Sequence, residues 1–555
     1  MSARRASWAI FALYAALATA WSWPMARLRA DTLVTLHFDL YPTVWLLERA
    51  PRVLPELWHA ESAWPDGESL ARVDSYVILV LAWVLRPVLG GAQVAALVGW
   101  LGPAVGAWAA ERVAHRTFGI PRPASLLAGL SFGFAGIAAT AVLEGHVYHL
   151  LAPWLPLLLG DLWGASPEPP RAAWIRGARA GLWWALCLWT TAYFGILGAA
   201  LIAVAAGRDA LLARGAPVEG TVRRWAGLLA VALPAGLAYI ALFARGGAWA
   251  GSGDDPTTVW RTGAVTLAGL LGWTPEADAY RHSNGAPLGF VVAGLVVLAP
   301  AVLSGRRGWR TLAAVAVGAV VLALGRELRV HLEDDGTWWP GAWVASLPGA
   351  RWFRFPVRLT WLWALCGGIV AARTLARLTE GEDGRGYRWT TLVTLLLALG
   401  DIAVGQATPL RLRARAAPLP SAYLAAPEGR PVLDVFAPPA DGANVEAEMW
   451  VRALGCYYQS MHGRPTLEVC IGTDVQSPRE REAEALLDGL LARTPDPDAV
   501  DARVRTLGVG AVALHADGFR PSEHAALESG MTALWGAPVT AEDGGRVMLW
   551  MVPAR

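Results

Sequence analysis

About eleven apolar runs crowd the first 405 residues of this 555-residue chain, and their length leaves few folds open. A helix needs about 20 mostly apolar residues to cross about 30 Å of hydrocarbon. Pro123–Val142, Trp225–Phe243 and Arg358–Ala376 each approach that length. With 55% of residues hydrophobic and only 17% charged, a water-soluble core has no use for so many such runs. The expected class is therefore mainly α: a polytopic helical membrane protein with about eleven transmembrane helices. The net charge of +2 is a sum over opposed surfaces and predicts no nucleic-acid partner.

Arginine sets the expected orientation, because the chain has no lysine and short basic loops stay in the cytoplasm. Arg4–Arg5, Arg112–Arg116, Arg171–Arg179, Arg208–Arg224, Arg306–Arg310 and Arg373–Arg388 fall on one side under one choice of spans. In that choice Tyr76–Leu89, short and interrupted by Arg86 and Pro87, lies in the interface and does not cross. The opposite face then receives Arg27–Gly90, the turn at Glu144–His146, the turn near Tyr193, Gly247–Ala286, Glu327–Phe355 and everything beyond about Gly405. In a bacterium this is a multi-pass protein of the inner (plasma) membrane, N-terminus cytoplasmic and C-terminal region extracytoplasmic. Arg4, Arg5 and Ala18-Thr19-Ala20 also have the look of a signal peptide, but the apolar run continues through Trp21 and Trp23, which favours a retained first helix.

Composition changes near Gly405, which divides the chain into a transmembrane domain (1–405) and an extracytoplasmic α/β domain (406–555). Beyond the boundary, β-rich runs (Pro431–Phe436, Val509–His515, Arg546–Val552) alternate with charged helical patterns (Arg479–Ala492, Asp498–Leu507, Ser522–Leu534). Thr408–Leu419 reads as a linker or membrane-surface strap. Of four cysteines, Cys187 and Cys366 lie in membrane runs, while Cys456 and Cys470 flank an exported turn where an oxidising compartment permits a bridge.

Three clusters on the presumed outer face carry chemistry. His37-Phe38-Asp39 follows the first helix; a carboxylate with an imidazole two residues before it suits a general base or a divalent-ion ligand, and equally a solvated Asp capping the helix from Pro42. Glu144-Gly145-His146 occupies a tight turn between apolar helices, with His149 on the same helix face as His146 and Glu144 near enough to orient one imidazole. A helix end with a hydrated acid explains the same residues. Arg354 and Arg358 are four apart and face the same way if their helix extends back past Pro356. Planar guanidinium pairs suit phosphate, although interfacial snorkelling also places arginines at helix ends. His37, Tyr193, Arg281 and His282 are further substrate-binding candidates on that face.

A first helix followed by a long loop with an early Asp, Pro65-Asp66-Gly67 and an amphipathic helix resembles the GT-C superfamily of multi-pass glycosyltransferases. The basic Arg112–Arg122 loop, Gly145-His146, Pro153–Pro156, Thr190–Gly195, Arg354–Arg358 and Tyr457–Pro465 are most similar to its bacterial YfhO-like branch. The resemblance implies transfer of a sugar from a polyprenyl-phosphate carrier to a glycan, lipid or protein acceptor at the outer face of the bilayer, often with a divalent cation such as Mg or Mn. It makes Asp39 the base or metal-associated carboxylate, Glu144 and His146 its catalytic partners, and Arg354 and Arg358 the holders of the lipid phosphate. A lone Asp39 stands where many relatives carry paired acids. The rival readings are a transporter of lipid-linked glycans, which needs polar residues deep in the helices, and a non-catalytic envelope scaffold with an exported binding domain.

Overall fold

The computed structural model describes residues 3–30, 32–33, 40–53, 75–164, 169–212, 218–245, 264–271, 286–304, 308–331, 335–347, 355–380, 384–405, 415–416, 419–436, 445–462, 464–465, 482, 485, 496–516, 519–542 and 547–553. Up to residue 405 the main elements are helices: α1 (Ala3–Trp21), α2 (Leu40–Val53), α3 (Tyr76–Leu85), α4 (Gly91–Arg116), α5 (Arg122–Gly133), α6 (Gly136–Leu143), α7 (Trp154–Trp163), α8 (Pro170–Thr190), α9 (Ala192–Leu212), α10 (Val218–Arg245), α11 (Phe290–Val302), α12 (Trp309–Ala323), α13 (Gly368–Leu378) and α14 (Gly384–Gly405). Among the described residues six helical stretches are long and apolar enough to cross a membrane: 91–116, 122–143, 192–211, 219–244, 356–378 and 385–404.

Burial sorts these stretches into centre and rim. The stretch at 356–378 is 83% buried and that at 385–404 only 11%, so the first is a hub and the second presents its surface to lipid. On α10, Leu229, Leu233, Leu237 and Ile240 form an exposed stripe at helical spacing, while Leu228, Ala232 and Tyr239 face inward. A water-facing helix would carry charges along that outer stripe; lipid accepts leucine. The inward side of α10 meets α8 through glycine. A Cβ at Gly181 would lie 2.5 Å from the Leu228 carbonyl oxygen, and one at Gly177 would collide with the Arg224 carbonyl. Small residues allow this backbone-to-backbone approach, which supplies the dispersion contact that drives helix association in lipid.

Two expectations are corrected. The run Pro123–Val142 is not one smooth helix: Phe134 (φ −119°, ψ 29°) and Ala135 break it into α5 and α6, with Pro287 against Gly136 at the break. Pro356 opens a 3-10 turn, Pro356–Leu359, and Phe355 before it is non-helical (φ −123°, ψ 86°). The helix therefore does not extend back past Pro356 to put Arg354 and Arg358 on one face. Proline at a first helical position loses no hydrogen bond and disfavours a helical residue before it.

The short helix α3 buries Tyr76, Ile78, Leu79 and Ala82 and exposes the apolar Val80, Trp83 and Val84, and at ten residues it is too short to cross. The arginine-rich helix ends gather in two groups. Arg208 and Arg224 both donate to the Leu162 carbonyl (2.9 and 3.3 Å) and pair with Asp209, Arg176 donates to Gly164 (2.8 Å), and Arg179 pairs with Asp161. Arg373 donates to the Phe118 carbonyl (2.7 Å).

Beyond residue 405, β1 (Thr32–Leu33) pairs antiparallel with β2 (Arg415–Ala416), tying the stretch after α1 to the stretch after α14. A four-stranded sheet follows in the order β3 (Val432–Val435), β4 (Ala511–His515), β6 (Val547–Met551), β5 (Thr540–Glu542). β3 and β4 are parallel, Val435 beside Leu514; the other pairs are antiparallel. Helices α16 (Pro497–Thr506) and α17 (Pro521–Trp535) cover one face, where Val504, Met531 and Trp550 are buried. The helix α15 (Val445–His462) packs instead on α2. Cys456, on α15, is disulfide-bonded, and Cys470 lies outside the described residues; Cys187 and Cys366 are free and buried.

Candidate active site

The site is built on a reversal that only glycine permits. α6 stops at Leu143, Gly145 turns with φ +75°, and its amide donates back to the Val142 carbonyl (3.2 Å). A side chain there would be strained by its backbone angle and would also lie 2.5 Å from the Leu40 nitrogen. The first turn of α2 is thus pressed directly onto the Glu144–His146 turn. Asp39, bonded to that nitrogen, lies outside the described residues, as do His37, Arg281, His282 and Arg354.

The chain continues as a 3-10 turn, Val147–Leu150, in which residues three apart eclipse. This brings the His146 and His149 rings to 5.3 Å. His146 Nδ1 lies 3.1 Å from Glu144 Oε2, and both side chains are nearly buried. Donation of Nδ1–H to the carboxylate fixes the tautomer that leaves Nε2 as the basic nitrogen, and it raises that nitrogen's basicity. The turn is flanked by the helical stretch 122–143, which ends in α6, and by the ten residues of α7, shorter than the long helix expected there.

His149 is only 3% exposed, and its Nε2 has no hydrogen-bond partner. Burial, then the Arg358 and His146 charges, push its pKa well below the ordinary imidazole value, so it is neutral across the physiological range. It contacts Tyr148, Tyr193 and Phe194. Sequence reading had placed His149 beside His146 without a role; the missing information was Arg358, more than 200 residues away.

Arg358 is 7% exposed. Its guanidinium carbon sits 3.9 Å over the Tyr193 ring and 4.6 Å from the Phe355 ring centre. Among the described residues no carboxylate pairs with it, although buried charges are ordinarily paired. Two aromatic faces hold the planar group and leave its N–H edges for an anion. Of the residues singled out from sequence, the structure therefore brings together Glu144, His146, Tyr193 and Arg358, and it adds His149 and Phe355. No group of three metal-binding side chains occurs among the described residues.

No family model matches the sequence, and no characterised protein matches it at the sequence level. Solved structures do. The mycobacterial arabinofuranosyltransferase AftD superposes with a TM-score of 0.61 at 16% identity over 100% of this chain and 40% of its own. ArnT from Cupriavidus metallidurans, bound to undecaprenyl phosphate, gives 0.55 at 12% identity over 98% of both chains. The oligosaccharyltransferase of Archaeoglobus fulgidus gives 0.53 at 11% identity over 91% of this chain and 69% of its own. The chain has the GT-C fold. This GT-C chain spans less than half the length of AftD and nearly all of ArnT.

Proposed function

We propose that this GT-C protein transfers a sugar from a polyprenyl-phosphate carrier to an acceptor on the extracytoplasmic face of the membrane. The observation that carries the reading is Arg358, a buried cation held by aromatic faces with no carboxylate partner among the described residues, beside a carboxylate–imidazole pair. That is the complement of a phosphate leaving group next to a proton acceptor. ArnT, bound to undecaprenyl phosphate in its solved structure, shares the fold over the whole chain and makes such a carrier the natural donor class.

In this reading the acceptor hydroxyl meets a base formed by Asp39, Glu144 and His146. Arg358 steadies the negative charge that develops on the carrier phosphate as the glycosidic bond breaks. Carboxylates are the oxygen donors that Mg or Mn takes, so Glu144 and Asp39 are the residues that would hold such an ion, which would neutralise phosphate charge. The acceptor class, whether glycan, lipid or protein, is open.

The test is the purified chain in nanodiscs with radiolabelled undecaprenyl-phosphate arabinose and a panel of glycan acceptors, comparing wild type with Asp39→Asn, Glu144→Gln and Arg358→Lys. Loss of a base lowers turnover about 10²–10⁴-fold. Arg358→Lys keeps the charge but loses the planar stack, and is expected to fall at least about tenfold. Wild-type rates in all three variants, with normal membrane abundance, would favour a scaffold over an enzyme.

A further inference from the structure

A buried polar clasp joins α15 to α2. Gln459, on α15, is fully buried. Its Oε1 accepts from Trp45 Nε1 (2.5 Å) and from Arg49 Nε (3.2 Å), and its main-chain carbonyl accepts from Arg49 Nη2 (3.4 Å). Two residues earlier, Tyr457 packs edge-on against Tyr41, with ring centres 5.4 Å apart. All four contacts fall on α2, and Trp45 and Arg49 are themselves almost wholly buried. The amide has a free end: Gln459 Nε2 has no hydrogen-bond partner among the described residues.

The helix so gripped is the one whose first residue, Leu40, touches the Gly145 turn. α2 thus has the Glu144–His146 turn at its N-terminus and α15 along its side. Its hold on α15 rests on a buried polar residue with two side-chain donors, an arrangement that specifies one register because any slip strands an arginine and an indole N–H without their acceptor.

We propose that Gln459 is a positioning residue for the transfer site: by holding Trp45 and Arg49 it sets where the N-terminus of α2, which begins at Leu40 against Gly145, stands relative to Glu144 and His146. The region beyond residue 405 is then a structural part of the catalytic apparatus and not an appended binding module. The inference rests on the transfer reading above, and adds that a residue more than 400 positions from Asp39 governs its rate.

The variants separate the roles. Gln459→Leu removes the acceptor. Gln459→Glu keeps it and replaces the unpartnered amide nitrogen with a second acceptor for Arg49. Trp45→Phe removes one donor and keeps the ring. Each full-length variant is assayed in nanodiscs with the labelled undecaprenyl-phosphate arabinose, and its amide hydrogen exchange is followed by mass spectrometry. For Gln459→Leu, kcat falls at least tenfold with KM for the carrier within about twofold, and exchange at residues 40–45 accelerates while 122–143 stays protected. Trp45→Phe shows a smaller change in the same direction, and Gln459→Glu restores both readouts. Accelerated exchange at α2 with unchanged kcat, or lowered kcat in Gln459→Glu as large as in Gln459→Leu, overturns the proposal. A wild type with no transfer sinks the transfer reading and the positioning role with it, while the exchange data still report whether the clasp holds α2.

Discussion

At the scale of single residues, the buried histidines divide by what surrounds them. His462 stacks on Tyr423 at 4.8 Å, and its Nδ1 accepts from the Arg464 amide. Burial lowers its pKa to about 4 against the pull of the nearby Asp434, with Arg49 and Arg464 adding to the depression. The unfolded chain therefore takes up this proton first as pH falls. Stability from this residue is complete above about pH 6.5 and is lost between there and about pH 4, by on the order of 3 kcal/mol. Melting curves from pH 7.5 to 4.5 should show a steeper acid loss for wild type than for His462→Gln; parallel slopes would contradict the assignment. Close by, His515, Asp434 and the Tyr423 hydroxyl bond one another beneath Phe436 and Tyr458, a satisfied polar knot at the carboxyl ends of β3 and β4. Legibility at this scale followed distance along the chain. Glu144 and His146 were readable because a single residue, Gly145, separates them, and Tyr193 because it falls in a turn on the same face. The roles of His149 and Gln459 were not, because Arg358 and Trp45 give them meaning only once the chain is folded.

At the scale of elements, periodicity carried most of the information. β3, β4 and β6 lie inside the β-rich runs, which are almost continuously apolar because these strands are buried on both faces, and α16 and α17 match the charged helical patterns to within a residue at each end, where one-sided burial imposes the helical period. The break between α5 and α6 left no such trace, since apolar residues on both sides of Phe134 satisfy either a continuous or a broken helix. Pro356 was a local signal for a helix start, outweighed in the reading by the spacing of two arginines. The α8–α10 seam makes a sharper demand than hydrophobicity alone. Gly177→Leu keeps the segment apolar and removes the close approach, so these helices should separate. The expected outcome is a lower melting temperature and new cleavage by added protease between residues 171 and 245, with Gly207→Leu, whose surroundings are open, as the unaffected control.

At the scale of the whole molecule, the arginine pattern becomes a statement about which compartment each helix end faces. Ala172, at the start of α8, and Leu424, 72% exposed beyond α14, belong to opposite faces in that scheme. With Cys187 and Cys366 buried, single Ala172→Cys and Leu424→Cys variants report sidedness cleanly. In intact spheroplasts an impermeant maleimide should label position 424 at once and position 172 only after permeabilisation; labelling of both, or the reverse order, would invert the orientation and move the Glu144–Arg358 centre to the cytoplasm.

The clasp and the β1–β2 pairing join residues 414 and 384 positions apart, between stretches that emerge early and late from the ribosome. During synthesis the Trp45 indole cannot reach its Gln459 acceptor until at least residue 459 has been made. A chain that stops earlier therefore cannot close the contact between α2 and α15.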